Sequence, residues 1–536
     1  MKPCDSLTQK LQSGELTMKT NSTEAANAEN TFAAKRLRKH KRENMMSSFC
    51  ASLRLDLPLK KLSFAALALI ACLAQAGLAS AAQVTLNVEL AKPVLKADTK
   101  QTTFLKVGLT GFAIANDKER PPVNVALVLD KSGSMQGEKI RQAREAAKMA
   151  IGRLGANDIV SVVVYDSTVN VLVPATKCTD KAAIYAKIDQ IGAGGNTALF
   201  GGVSKGAAEL RKFFDKQRVN RIFLLSDGKA NNGPSSPGEL GQLGASLIKE
   251  GISVTTLGLG LGYNEDLMTQ LALKSDGSHS FIQEPSQLTQ IFNEDFGEML
   301  DVVAQKVVVS IDCKAGVRPV RVLGREADIS GQTVVTTMNQ LYSKQEQFVL
   351  LEVEVPSTRV DQVRDIATVH LSYLNMGTKV NDHLSSSVAA RFSKSETEIA
   401  KRVCKDVMVS CVSQIAVENN KKATELRDKG RVEEAKALLV SNGAYLEKNA
   451  RMYNSDFLKN YGYLNSVSAR NLDAANWGRN RKQMRYEQQA VQQGKVQLRA
   501  NGEWAADYNA QLWFGNQGTN QPPVKKGNVD LIIKIK

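Results

Sequence analysis

The sequence predicts an α/β protein: a doubly wound, mostly parallel sheet inserted in or flanked by an antiparallel β-sandwich, followed by a helical C-terminal region. Three observations predict it. Apolar runs at 123–129 and 221–226 each lead into an aspartate, and such runs suit strands buried on both faces, as in a parallel sheet. Between residues 123 and 300, strand patterns alternate with helix patterns, the order of a doubly wound sheet. On either side of that region, alternating apolar and polar residues mark half-buried antiparallel strands.

The elements follow in order. Residues 83–90 and 103–112 alternate and read as strands. Residues 123–129 form the first strand of the α/β region, Gly133 and Gly137 break it, and 138–154 reads as an amphipathic helix. Later strands are expected at 160–165, 169–173, 221–226, 252–257 and an edge near 280–282. Helices are expected near 181–191, 200–214, 239–250, 264–274 and 286–300. From Val303 five strand patterns follow without a helix between them: VVVSIDC, VRPVRVLG, QTVVTTM, QFVLLEVEV and ATVHLSYL. Two strands alone are marginal and seven make a sandwich, so residues 83–117 are expected to pack with 303–391, with the α/β domain of 118–300 inserted between them.

The helical region, 394–500, opens with long helices over 394–429 and 432–446 around Gly430. Ala423 to Leu439, ATELRDKGRVEEAKALL, resembles half of a tetratricopeptide hairpin, but a single unit cannot stack, and a plain helical hairpin is expected. Residues 464–499, rich in Gln, Asn and Arg, read as an exposed helix or a disordered run with a solvated basic face. The tail, 501–536, ends in VDLIIKIK, an added edge strand.

Lys60 and Lys61 precede an uncharged run, residues 62–82, that closes on the small residues Ala79-Ser80-Ala81. This is the form of a secretory leader, and it predicts export to the periplasm, the cell envelope or the extracellular space. Retention as a membrane anchor and lipidation at Cys72 are the competing readings, and through them alone would the chain meet a membrane. Residues 1–59 are polar and basic, and are expected to be disordered or untranslated, with synthesis starting at Met45 or Met46.

The formal charge of +16 is unevenly spread: +6 over residues 1–82, zero over 83–390 and +10 over 391–536. The surplus sits in the leader and the helical tail, which argues against nucleic-acid binding. The cysteines form no CxxC pair and the four histidines do not cluster with them, which argues against a zinc site. Cys404 and Cys411, on one helix, would stand roughly 10 Å apart, beyond disulfide reach, and read as core residues. GLGLG at 258–262 places Tyr263 where a dinucleotide fingerprint needs its third glycine, so these glycines are expected to let the chain leave its strand tightly.

The chemistry gathers in three loops. Asp130, Ser132 and Ser134 alternate at the carboxyl end of the first strand. Thr197 lies in the Gly-rich loop GAGGNTALF, and Asp227 ends the strand at 221–226. Open α/β sheets bind ligands at this edge. Hydroxyl and carboxylate oxygens from three loops suit a hard divalent cation.

This set, D-x-S-x-S followed by T and D, resembles the metal-ion-dependent adhesion site of von Willebrand factor type A domains over residues 118–300. The architecture is similar to bacterial proteins that resemble calcium-activated chloride channel regulators and inter-α-trypsin-inhibitor heavy chains. The resemblance implies Mg²⁺, with Mn²⁺ or Ca²⁺ as alternatives, held by the hydroxyls of Ser132, Ser134 and Thr197. Asp130 and Asp227 would act largely through water, and an acidic group of a partner would take the last position. The expected function is non-enzymatic, metal-dependent binding of a protein or an acidic surface polymer that presents a carboxylate. No histidine lies in the site loops to serve as a base. Two other readings stay open. One is a metal-dependent hydrolase or phosphotransferase using the same site, which turnover assays would reveal. The other is a structural assembly protein of the envelope that makes contacts through its basic tail.

Overall fold

The computed structural model describes residues 83–114 and 120–494. The leader, the extension before it and the VDLIIKIK strand lie outside the described residues. The chain enters through three strands, β1 (Thr85–Leu90), β2 (Val94–Lys96) and β3 (Gln101–Thr110). It then builds a six-stranded sheet from β4 (Val123–Asp130), β5 (Ile159–Tyr165), β6 (Val169–Lys177), β7 (Val219–Ser226), β8 (Ile252–Leu259) and β9 (His279–Ile282).

The spatial order of that sheet is β6-β5-β4-β7-β8-β9. Its strands pair in parallel except β6, which returns antiparallel to β5. Strands β4, β5, β7 and β8 are buried along their whole length, as the continuous apolar runs require. The edge strand β6 is half exposed and carries Pro174. Proline lacks a ladder donor and is tolerated at an edge.

Helices cover both faces. On one lie α1 (Glu138–Gly152), α2 (Lys181–Ile188) and a later helix over Leu288–Leu300; on the other lie α3 (Leu199–Arg211), α4 (Pro237–Lys249) and α5 (Glu265–Lys274). The helix over Leu288–Leu300 is α6. Helix α4 starts two residues before its expected position because Ser236 and Glu239 form a capping box and Pro237 takes the first turn.

After α6 come β10 (Val302–Cys313), β11 (Arg318–Leu323), β12 (Asp328–Ser330), β13 (Thr333–Tyr342), β14 (Glu346–Val355), β15 (Val363–Asn375) and β16 (Asn381–Ser393). They form two sheets, ordered β1-β3-β14-β11 and β12-β13-β10-β15-β16-β2. Strands from before the α/β domain therefore sit inside sheets completed after it. Strand β3 pairs with β14, placing Leu105 opposite Leu351 and Val107 opposite Val349. These side chains share one core with Val307, Val309, Ile311, Val369 and Leu371.

The helical region departs from expectation in three ways. The stretch 394–429 is two helices, α7 (Glu396–Lys401), capped by Ser395, and α8 (Lys405–Asp428). The expected hairpin is part of a larger array with α9 (Val432–Tyr453), α10 (Asp456–Arg470) and α11 (Ala474–Gln492). Asn442 of α9 ties it together by donating to Asn420 of α8 at 2.9 Å and Asn465 of α10 at 3.0 Å.

Helix α11 corrects the expectation of an exposed or disordered basic run, because most of it is buried. Most of its charged and amide groups find partners within the protein. Asn480 donates to the carbonyls of Ser468 and Asn471 at 3.0 Å. Arg481 pairs with Glu265, Asp266 and Asp428. Arg485 pairs with Asp266, and Lys482 with Glu265 and the carbonyl of Tyr263. Burial of such groups is tolerated when they find partners, and the acidic partners of Arg481, Lys482 and Arg485 lie some 50 to 220 positions away in sequence. Cys411 is buried and Cys404 partly so, both as free thiols.

Candidate metal centre

The centre is built at the carboxyl edge of β4 and β7. Asp130, the last residue of β4, accepts the backbone N–H of Ser132 on Oδ1 and the hydroxyl of Ser226 on Oδ2, each at 2.8 Å. The first bond turns the chain out of the strand. The second joins β4 to its sheet neighbour β7. Residues Gly133–Met135 then form one tight helical turn, anchored by the buried Met135. Gly137, at φ +76°, redirects the chain into α1, a conformation that favours glycine.

The Gly-rich loop is stitched to this turn. The Gly133 N–H donates to the Gly195 carbonyl at 3.0 Å, and the Gly194 N–H to the Lys131 carbonyl at 2.7 Å. The Thr197 N–H donates to Asn231 Oδ1 at 2.8 Å, while the Asn231 N–H donates back to the Thr197 carbonyl at 3.2 Å. Three distant segments are thus locked together through their backbones, which leaves their side-chain oxygens directed at a common space.

Gly228 marks that space. A Cβ placed on it would stand 3.1 Å from Thr197 Oγ1, 3.4 Å from Ser134 Oγ and 3.8 Å from Ser132 Oγ. The two serine hydroxyls lie 3.1 Å apart, and Ser134 donates to Asp227 Oδ1 at 2.6 Å. The structure therefore brings all five expected residues together. Four surround the cradle, and Asp130 stands behind it on Ser132. The donors are all oxygen, two from carboxylates and three from hydroxyls, a set that fits a hard divalent cation. Asp130, Ser132, Thr197 and Asp227 are buried, while Ser134 is exposed. The cradle thus has a closed floor and one open side.

Burial pushes the Asp130 carboxyl up to about 6, against the opposing pull of the Ser132 and Ser226 hydrogen bonds; the nearby Asp227 adds to the rise. Asp227 Oδ2 meets the ammonium of Lys139, which also lies 3.3 Å from the Ser134 carbonyl.

Sequence reasoning misses Ser226, Lys139 and Asn231. Ser226 directly precedes Asp227, and only the parallel register, which sets Leu225 beside Leu129, reveals that it reaches Asp130. His279 is buried on β9, between Thr256 at 2.9 Å and the Tyr263 hydroxyl at 3.3 Å. Burial pushes it down to about 3, so it is a neutral core residue. GLGLG serves backbone geometry: Gly260 adopts φ +71°, and Gly262 packs on the Asp227 carbonyl.

Comparison with known proteins agrees with this geometry. Residues 124–294 match the model of the von Willebrand factor type A domain. An uncharacterised protein of Synechocystis is 33% identical over 198 residues, 37% of this chain and 46% of that protein. The uncharacterised protein YfbK of Escherichia coli is 30% identical over 218 residues, 40% of this chain and 37% of that protein. Inter-alpha-trypsin inhibitor heavy chain H3 of Rattus norvegicus is 29% identical over 174 residues, 31% of this chain and 20% of that protein. The chain thus spans less than half the length of these relatives.

Among solved structures, a von Willebrand factor type A protein from Catenulispora acidiphila shares the fold over 76% of this chain and 96% of its own, at a TM-score of 0.60 and 18% identity. The ArnB paralog VWA2 from Sulfolobus acidocaldarius does so over 77% and 99%, at 0.53 and 16%. The shared fold therefore extends beyond the α/β sheet. Residues 124–294 of this chain thus match the model and share the fold of the von Willebrand factor type A domain, a module that commonly mediates protein–protein interaction and typically carries a divalent metal at its adhesion site.

Proposed function

We propose that the protein is an exported, non-enzymatic binding module that recognises an acidic group on a partner protein or surface polymer through a divalent cation, Mg²⁺ foremost. The observation that carries this reading is the cradle at Gly228, where Thr197, Ser134 and Ser132 oxygens stand 3.1 to 3.8 Å from a point no side chain fills. A bound cation would supply electrophilic charge there, since neutral hydroxyls quench little of it. Ser132, Ser134 and Thr197 would hold it directly. Asp130 would orient Ser132 through its backbone N–H, and Asp227 would orient Ser134. The exposed side at Ser134 leaves room for a carboxylate from outside.

The uncharged run at 62–82 supports export to the periplasm or beyond. Arg481, Lys482 and Arg485 of α11 are spent on internal pairs, which weakens the reading of a tail-driven assembly protein. The test is capture from envelope extract on the immobilised protein. Partner retention in Mg²⁺, release by EDTA and loss in Ser132→Ala support the proposal. Equal retention in EDTA contradicts it.

A further inference from the structure

We propose that Lys139 is a tethered counter-cation of the metal centre: its ammonium holds the charge position at Asp227 that an incoming divalent ion must share, and so weakens and tunes metal binding. The inference rests on the metal reading above, and concerns a residue outside the five-oxygen set.

Lys139 is the second residue of α1. A cation in a first helical turn lies against the positive end of the helix dipole and is unfavourable there on its own account. Local rules of this kind tend to be broken at functional sites. The side chain folds back so that its ammonium meets Asp227 Oδ2 and stands 3.3 Å from the Ser134 carbonyl. Both belong to the cradle residues. The Asp227 side chain is 0% exposed, and a carboxylate so buried requires a compensating partner. Lys139 is the one cation paired with it among the described residues. Lys131, the other lysine of this loop, is engaged by Asp166.

Lys139 keeps 30% of its side chain exposed. It approaches Asp227 from the solvent side, beside Gly260, on which a Cβ would lie 4.0 Å from its Nζ. The ammonium can therefore swing outward without any change in the core. A divalent ion in the cradle and an ammonium on the same carboxylate repel one another, and partial burial leaves that repulsion poorly screened. Metal binding must either expel the ammonium into water or bear the repulsion, and each course subtracts from affinity. Without the ammonium, the Asp227 charge is left for the metal alone to neutralise.

The test is isothermal titration of the full chain with MgCl₂. Lys139→Met and Lys139→Gln should each bind at least about tenfold more tightly than the native protein, with an unchanged circular dichroism spectrum, while Lys139→Arg, which keeps the charge, should stay near native affinity. If both neutral variants bind Mg²⁺ no more tightly than the native protein, the inference is overturned. The metal centre then still stands, provided the native protein binds and Ser132→Ala does not. If neither the native protein nor the neutral variants bind, the metal reading fails and this inference fails with it.

Discussion

The backbone of Gly262 lies so close to that of Asp227 that a Cβ on Gly262 would stand 2.6 Å from the Asp227 carbonyl oxygen. The loop after β8 thus forms the wall behind the loop that carries a cradle carboxylate. Gly262→Ala must push the two apart. It is expected to cost about 1–3 kcal/mol of stability and to weaken Mg²⁺ binding. Thermal denaturation and metal titration check this, and a variant unchanged in both would show that the contact is slack.

Gly228→Ala tests the cradle from within. The new methyl would occupy space 3.1 Å from Thr197 Oγ1 and 3.4 Å from Ser134 Oγ. Mg²⁺ affinity should fall at least about tenfold, while stability changes by less than about 1 kcal/mol, because Gly228 is only half-buried and the methyl would meet rotatable side-chain hydroxyls rather than backbone. Titration calorimetry and thermal melts read the two effects separately.

Lys482 fastens α11 to the α/β domain. Its ammonium meets Glu265, donates to the Tyr263 carbonyl at 2.8 Å and lies 4.4 Å from the centre of the Tyr263 ring. Removing one member of a buried ion pair strands the other, although Arg481 still contacts Glu265. Lys482→Met is therefore expected to cost about 2–3 kcal/mol, measured by urea denaturation. Lys448→Met, at an exposed position of α9, should change nothing.

Glu487 on α11 predicts a pH dependence. Burial pushes its carboxyl from 4.5 up to about 7, and the Gln483 amide, which donates to it at 2.7 Å, moderates the rise. The folded chain therefore keeps a proton that the unfolded chain releases. The stability this contributes is full below 4.5 and is lost as pH rises through about 7. Glu487→Gln should match the native protein at about pH 4 and exceed it by about 1–3 kcal/mol at about pH 8. Melting curves at the two pH values decide it.

The α/β sheet and its five oxygen donors are legible in the sequence because their signals are local. Asp130, Ser132 and Ser134 lie within five residues, and Thr197 and Asp227 each follow a recognisable boundary, a Gly-rich loop and an apolar strand. Strands β1 and β3 are legible as strands, and arithmetic on strand number places them in the sandwich. Ser226 and Lys139 are not legible, because their roles depend on strand register and on a side chain folding back across a turn. Helix α11 misleads, since Arg481, Lys482 and Arg485 read as a solvated face until Glu265 and Asp266, more than two hundred positions earlier, are seen beside them.

The central claim is that Ser132, Ser134, Thr197 and Asp227 surround one cation. Crystals soaked in MnCl₂ and measured for anomalous scattering test it most directly. The account predicts one strong peak over Gly228, about 2.2 Å from the hydroxyl oxygens of Ser132, Ser134 and Thr197. A fully soaked crystal with no peak there, or with its peak elsewhere on the protein, would contradict it.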